Sequence, residues 1–238
     1  MPDQFSRTRL IFGDESMKKL SESHVIVFGV GGVGSYAVEA LVRSGIGSID
    51  LVDNDEFSLT NLNRQLYALH STLGKYKVDV AAERIRDINP ECKVKTFRTF
   101  FTPETSGEFD FTSYDYVVDC IDTVKGKVEL ILKAKEAGVP VISSMGAGNK
   151  IDPLQFKVAD IYKTSVCPLA RAVRGELKKR GIKQVKCVFS TEPALKIQPG
   201  PDAEMKGNGI APGSNAFVPS VCGLIIAGEV IKDISEKK

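Results

Sequence analysis

The segment Gly29-Val30-Gly31-Gly32-Val33-Gly34-Ser35 has the spacing G-x-G-x-x-G, directly after the apolar run His24 to Phe28 and directly before a helical pattern. Glycines so spaced let the backbone approach a phosphate, whose charge the following helix N-terminus favours. Asp53 stands 19 residues beyond Gly34, at the end of the next apolar run. A carboxylate there can accept bonds from ribose hydroxyls. Gly29, Gly31, Gly32, Gly34 and Asp53 therefore read as a nucleotide cradle, and the motif alone leaves the nucleotide open.

No lysine follows Gly34, so this is not a P-loop, and triphosphate charge has to be met elsewhere. Further along come Thr60-Asn61-Leu62-Asn63-Arg64-Gln65, Gly74-Lys75-Tyr76-Lys77 and Asp122, which supply amides, cations and a carboxylate able to hold a metal. A nicotinamide enzyme has no need of that collection. Attack at the α-phosphate of ATP does, because the departing pyrophosphate must be neutralised. The balance of residue types thus moves from NAD to ATP.

These groups need elements to position them. Short apolar runs at 24–28, 49–52, 94–97, 116–118 and 139–142 predict strands, and helical periodicity predicts helices over 35–43, 75–88 and 124–136. Asn89-Pro90 stops the second of these. Strand alternating with helix predicts an α/β fold, a Rossmann-like, mostly parallel sheet with helices on both faces. After Ser143 the pattern changes: strands at 156–161 and 185–189 flank a basic helix, Pro168 to Arg180, with proline in its first turn and Gly181 beyond its end. Residues 192–215 hold four prolines and four glycines, which predicts an irregular, flexible loop long enough for a lid or binding loop. An apolar helix, Ser220 to Ile234, follows.

Composition sets the outer limits. The 238 residues are 42% hydrophobic and 26% charged, an ordinary globular balance. The longest uncharged apolar stretch, Val25 to Val38, has 14 residues, against the roughly 20 that a membrane-spanning helix needs. No basic and apolar leader opens the sequence, so a cytoplasmic protein is expected. Five scattered cysteines with no C-x-x-C pair argue against a disulfide framework or a four-cysteine site, and no zinc is expected. The net charge of +2 conceals an asymmetry: residues 163–196 carry nine cations against Glu176 and Glu192, a balance of +7. A polyanionic partner is expected there.

In their order, the glycine turn, Gly45-Ile46-Gly47, Leu51-Val52-Asp53-Asn54-Asp55, Asn61 to Gln65, Gly74 to Lys77 and Asp119-Cys120-Ile121-Asp122 resemble the adenylating enzymes of the ubiquitin-activating superfamily. This is the group of the bacterial ThiF and MoeB proteins. The resemblance implies that Asp53 holds ribose, that Asn61, Arg64 and Lys77 hold phosphates, and that Asp122 holds Mg2+; the matched stretches add Asp55 and Gln65 to the ATP site. It further implies a homodimer in which an N-terminal arginine of one subunit reaches the γ-phosphate in the other. Phe5-Ser6-Arg7-Thr8-Arg9 is similar to that arm, with Arg7 the better match and Arg9 the reserve.

ThiF and MoeB carry two C-x-x-C pairs that are missing here. Gly146 to Pro153, Lys163-Thr164 with Pro168 to Arg174, and Cys187-Val188-Phe189-Ser190-Thr191-Glu192 resemble instead a zinc-free branch, the tRNA threonylcarbamoyladenosine dehydratases. That likeness implies a single adenylation domain over 1–238, with a nucleotide-binding core at about 5–145 and a substrate-binding and dimerisation extension at about 146–238. It implies ATP-dependent activation of the threonylcarbamoyl carboxylate on adenosine 37 of tRNA, then cyclisation with loss of water. Lys163, Arg171, Arg174, Lys178, Lys179 and Arg180 are the expected tRNA contacts, and sulfur-transfer proteins are implied as accessory partners.

Arg64, Lys77, Asp122 and Arg7 are then the catalytic set, and no covalent enzyme intermediate is required. Cys187, at the head of a predicted strand, fits a buried apolar position. Cys167, before the basic helix, would have a lowered thiol pKa only if exposed. Neither His24 nor His70 lies in a nucleophile motif. A rival reading, activation of the C-terminal glycine of a ubiquitin-like sulfur carrier, uses the same ATP residues but gives the cationic segment no purpose. A nucleotide-sensing scaffold is the non-enzymatic alternative. Val221, Leu224, Ile225, Val230 and Ile231 of the last helix remain open between core and interface.

Overall fold

The computed structural model describes residues 2–198, 200, 205–206 and 209–236. Seven strands form one sheet: β1 (His24–Phe28), β2 (Ser48–Val52), β3 (Lys93–Phe97), β4 (Tyr116–Asp119), β5 (Val141–Ser144), β6 (Phe156–Asp160) and β7 (Lys186–Ser190). Their order is β3-β2-β1-β4-β5-β7-β6, parallel throughout except for β6, which closes one edge antiparallel to β7. Residues beyond 145 therefore extend the same sheet.

Both faces are covered at the middle of the sheet, which is why the central strands β1 and β4 read as near-continuous apolar runs, while the edge strands β3 and β6 carry lysines and are only partly buried. Val25 and Val27, Ile49 and Leu51, and Tyr116 and Val118 point to one side and pack with α2 (Gly34–Arg43), α3 (Lys77–Ile88) and the last helix, Val218–Glu236. Ile26, Phe28, Val117, Val141 and Cys187 point to the other and pack with α4 (Val124–Glu136) and α5 (Pro168–Lys179). The last helix is α6. Of its ambiguous residues, Val230 and Ile231 are core, Val221 and Ile225 are partly buried, and Leu224 is exposed.

Four features differ from expectation for local reasons. A helix over Ser6–Glu22, α1, has no counterpart among the predicted elements: it bends at Gly13 (φ 78°) and buries only Met17 and Leu20, so it presents no continuous apolar stripe. Helix α3 starts at Lys77 rather than 75, because Tyr76 is extended and bridges to Glu56. Strand β5 starts at Val141 rather than 139, since Pro140 has no N–H for the ladder. Within the stretch expected to be irregular, β8 (Met205–Lys206) pairs with β9 (Gly209–Ile210) as a short hairpin; residues 199, 201–204 and 207–208 lie outside the described residues.

Candidate active site

The chain leaves β1 toward β2 on one side and leaves β4 toward β5 on the other, so β1 and β4 flank a topological switch point. Ligands of open α/β sheets bind in the crevice outside the carboxyl ends at such a point. Residues Gly29–Gly34 leave β1 there, and Cys120–Asp122 leave β4 beside them. Gly29 has φ +88°, and a Cβ on it would lie 2.9 Å from the Cys120 carbonyl; one on Gly34 would lie 1.8 Å from the Gly29 oxygen. Only glycine permits so tight a turn against the β4 loop. No side chain caps the N-terminus of α2, whose first amides remain available to an anion.

Asp53 binds the turn to β2. Its Oδ2 accepts from the Val30 amide (2.7 Å) and its Oδ1 from the Asp55 amide (2.9 Å). Burial raises its pKa above the ordinary value, a shift that the Lys77 charge and the two amides oppose. Lys77, with a side chain only 6% exposed, donates to Asp55 Oδ2 at 2.7 Å, while Asp55 is 60% exposed. Asn61 is buried, and its Oδ1 accepts from the Ser58 amide (3.3 Å). The stem of Arg64 lies over Gly32, and its Nη1 donates to Thr60 O (2.9 Å) and Asn63 Oδ1 (2.8 Å). Gln65 is buried beside Gly31, and its Oε1 is an acceptor with no partner among the described residues. The fold thus gathers Asp53, Asp55, Arg64, Gln65 and Lys77 around the glycine turn. Asp122 is exposed on the adjoining loop.

Arg7 is not brought to this crevice. Phe5 and Met17 of the N-terminal arm and α1 rest on Gly45, just ahead of β2 and at the amino edge of the sheet. Five residues of β2, at about 3.3 Å each, separate that edge from Asp53. Arg7 is exposed, whereas Arg9 is engaged with Asp3 (3.0 Å) and Asp14 (3.1 Å).

On α5 the expected anion contacts divide. Lys163, just ahead of the helix, and Arg171 and Lys178 on it are exposed, and their side chains make no ion pair or hydrogen bond among the described residues. Arg174 turns inward, donating to Thr164 O (3.0 Å) and Thr164 Oγ1 (2.5 Å), and so braces α5 against the preceding turn. Lys179 and Arg180 both pair with Glu176, at 2.7 and 2.6 Å.

The matched motifs of the extension fasten the Pro/Gly-rich segment. Glu192 accepts from the amides of Ile151 (3.0 Å) and Asp152 (3.1 Å), and Lys150 donates to the Glu192 carbonyl. Asn149 Oδ1 accepts from the Gly213 amide (2.6 Å), and Asn63, next to Arg64, donates to Ser214 O (3.0 Å). The sequence offered only a matched pattern for these roles. Cys167 is buried, so the exposure that a reactive thiol needs is absent. Cys187 is wholly buried, which pushes its thiol up to about 12. His24 bonds Asp50 at 2.9 Å and packs edge-on against Tyr114.

A protein-family model described as the ThiF family matches residues 5–238. The tRNA threonylcarbamoyladenosine dehydratase of Bacillus subtilis (strain 168) is 48% identical, over 98% of this chain and 95% of that protein. Crystal structures of the E. coli tRNA N6-threonylcarbamoyladenosine dehydratase, TcdA, in complex with AMP and with ATP match with TM-scores of 0.88 and 0.87. Both are 37% identical and cover 97% of this chain and 93% of theirs.

Proposed function

The chain belongs to the ThiF family, and from that premise we propose that it is an ATP-dependent tRNA threonylcarbamoyladenosine dehydratase. It adenylates the threonylcarbamoyl carboxylate on adenosine 37 and promotes ring closure with loss of water. The observation that carries the reading is that the likeness to an ATP-bound dehydratase runs over 97% of the chain, basic extension included. A sulfur-carrier activator would share the glycine turn without a use for that extension.

A carboxylate is a poor electrophile because oxide or hydroxide would have to leave. Its oxygen attacks the α-phosphorus, pyrophosphate departs, and AMP becomes the leaving group. A nucleophile within the same side chain then closes the ring with intramolecular advantage. The protein orients two anions and meets developing charge with preorganised donors. Amides of the glycine turn cradle phosphate, Asp53 holds ribose, and Asn61, Arg64, Gln65 and Lys77 face the phosphate chain. Hydrogen bonds to neighbours already fix the head groups of Arg64 and Lys77.

Asp122 suits Mg2+: it offers an exposed carboxylate on the loop that follows β4, beside the glycine turn. Mg2+ is commonly held by one or two carboxylates together with substrate phosphates. Bound there, it would neutralise charge on the leaving pyrophosphate. The place of Arg7 at the amino edge of the sheet supports its action in trans within a homodimer. No helix among the described residues is long and apolar enough to cross a membrane, and a tRNA substrate fits a cytoplasmic site of action.

The test is incubation with ATP, Mg2+ and threonylcarbamoylated tRNA, followed by mass spectrometry of the nucleosides. Loss of one water from the modified adenosine is expected. An unchanged nucleoside, with pyrophosphate exchange that depends on a sulfur-carrier protein, would replace this reading with the rival one.

A further inference from the structure

Beneath the loop that carries Asp122 lies a closed polar triad that the mechanism above does not use. Asp119 ends β4, Lys127 stands near the start of α4, and Ser143 lies on β5; each is fully buried. Lys127 Nζ donates to Asp119 Oδ1 at 3.0 Å and to Ser143 Oγ at 3.4 Å, and Ser143 Oγ donates to Asp119 Oδ2 at 2.5 Å. Taking both charges out of water carries a desolvation penalty, and apolar residues of similar volume are often as stabilising. Cohesion of the core is therefore a weak reason for an ion pair at this place.

The triad grips the loop directly. Asp119 Oδ1 also accepts from the Ile121 amide at 3.2 Å. With three donors on one carboxylate, Asp119 has a single orientation, and the Ile121 peptide takes its position from it. Two further contacts close the loop. A Cβ on Gly126 would lie 2.7 Å from Ile121 Cδ1, so the Ile121 side chain is seated where α4 has no side chain. On the other flank, the Cys120 peptide rests against Gly29 of the phosphate cradle. The Lys127 amide donates to Thr123 O at 3.0 Å, which fixes the start of the helix. Residues on either side of Asp122 are thereby held, while its carboxylate is presented at the surface.

We infer that Lys127, Asp119 and Ser143 are positioning residues for adenylation, which hold the 120–123 loop so that Asp122 meets its metal at a set distance from the glycine turn. This rests on Asp122 being the Mg2+ ligand. None of the three touches substrate, and their effect passes through the loop.

Ser143→Ala removes one donor and no charge. Binding of a fluorescent ATP analogue, with and without Mg2+, separates this role from simple stability. Affinity without metal should stay within about twofold, while the gain in affinity brought by Mg2+ falls about tenfold, a typical effect of disturbing an outer shell. In single turnover the rate should fall roughly 10- to 100-fold with the KM for tRNA unchanged. A folded Ser143→Ala protein with the full Mg2+ gain and rate, beside an Asp122→Ala protein that has lost both, overturns the positioning role alone. Retention of the Mg2+ gain in Asp122→Ala overturns the metal assignment itself. If Ser143→Ala does not fold, the charge-neutral pair Lys127→Met with Asp119→Asn is judged by the same two readouts.

Discussion

Around the glycine turn, the charged side chains are held by neighbours: Asp53 by the amides of Val30 and Asp55, Lys77 by Asp55, and Arg64 by Thr60 and Asn63. Along α5 and its flanks, Lys163, Arg171, Lys178 and Lys183 are exposed with no such partner among the described residues. The first region is preorganised, as charge development at a reacting phosphorus requires. The second offers density of charge, which suffices for a polyanion whose binding is driven by counterion release. Substitutions in the first should act steeply and singly. In the second they should act by degrees and depend on salt.

The steepest effect falls on Asp122 and Arg64. On the proposed site, alanine at either should lower adenylation by about 10³-fold, since a charge assigned to the phosphates or their metal is removed, while the melting temperature changes little because neither lies in the core. Pyrophosphate exchange alongside thermal unfolding checks this, and a well-folded variant with normal turnover removes the residue from the site. Asp53→Ala should instead weaken ATP binding before it slows turnover.

Next in size is a complementation experiment. Arg7→Ala and Asp122→Ala subunits are each expected to be nearly inactive alone. In a mixed dimer, one of the two sites combines an intact Asp122 with an intact Arg7 from the partner, so random mixing should restore about a quarter of wild-type activity. Demonstrated heterodimers without recovery would refute action in trans.

The nucleotide half was legible because glycine spacing, strand ends and stop signals are local. Asp53 follows a strand end and Lys77 opens a helix that the pattern locates, whereas Arg64 and Gln65 lie in the connection between them and were legible only through the matched motif. The basic segment was legible only as a sum. Spacing puts Arg171, Arg174 and Lys178 on one face, and the backbone of Thr164, distant in pattern though near in space, turns Arg174 away. The buried triad left no trace, since its three members come from β4, α4 and β5, and Lys127 has the composition of an ordinary surface lysine.

That division sharpens the expectation for tRNA. Arg171→Ala with Lys178→Ala should raise the Kd for tRNA about tenfold and flatten the log–log salt slope by about 0.7 to 0.9 for each phosphate no longer neutralised. Lys179→Ala with Arg180→Ala should do less, because Glu176 already neutralises part of that charge. ATP binding should be unaffected in both. Binding isotherms over a salt series decide it, and equal effects from the two pairs would mean that the Glu176 pairs open on the RNA.

The smallest effect should come from the core between the two regions. Cys187 lies on β7, in the apolar cluster shared with α5, and burial pushes its thiol up to about 12 from the ordinary value of 9.0. At pH 8 it holds almost no thiolate, so Cys187→Ala should leave turnover within about twofold of wild type. Its stability should depend on pH in a defined sense. A thiol whose pKa is higher folded than unfolded contributes stability that is complete below the unfolded value and is lost as the pH rises through the folded one. Between about pH 9 and pH 12, the unfolded chain binds fewer protons at this site, and folding weakens by about 1.4 kcal/mol per pH unit for each such thiol. Cys187→Ala should lose stability less steeply from about pH 9 to pH 10.5 than wild type, by about that slope, in denaturant titrations at the two pH values. Parallel slopes would mean that the Cys187 thiol ionises in the folded protein as it does in the unfolded chain, and would reopen it as a nucleophile.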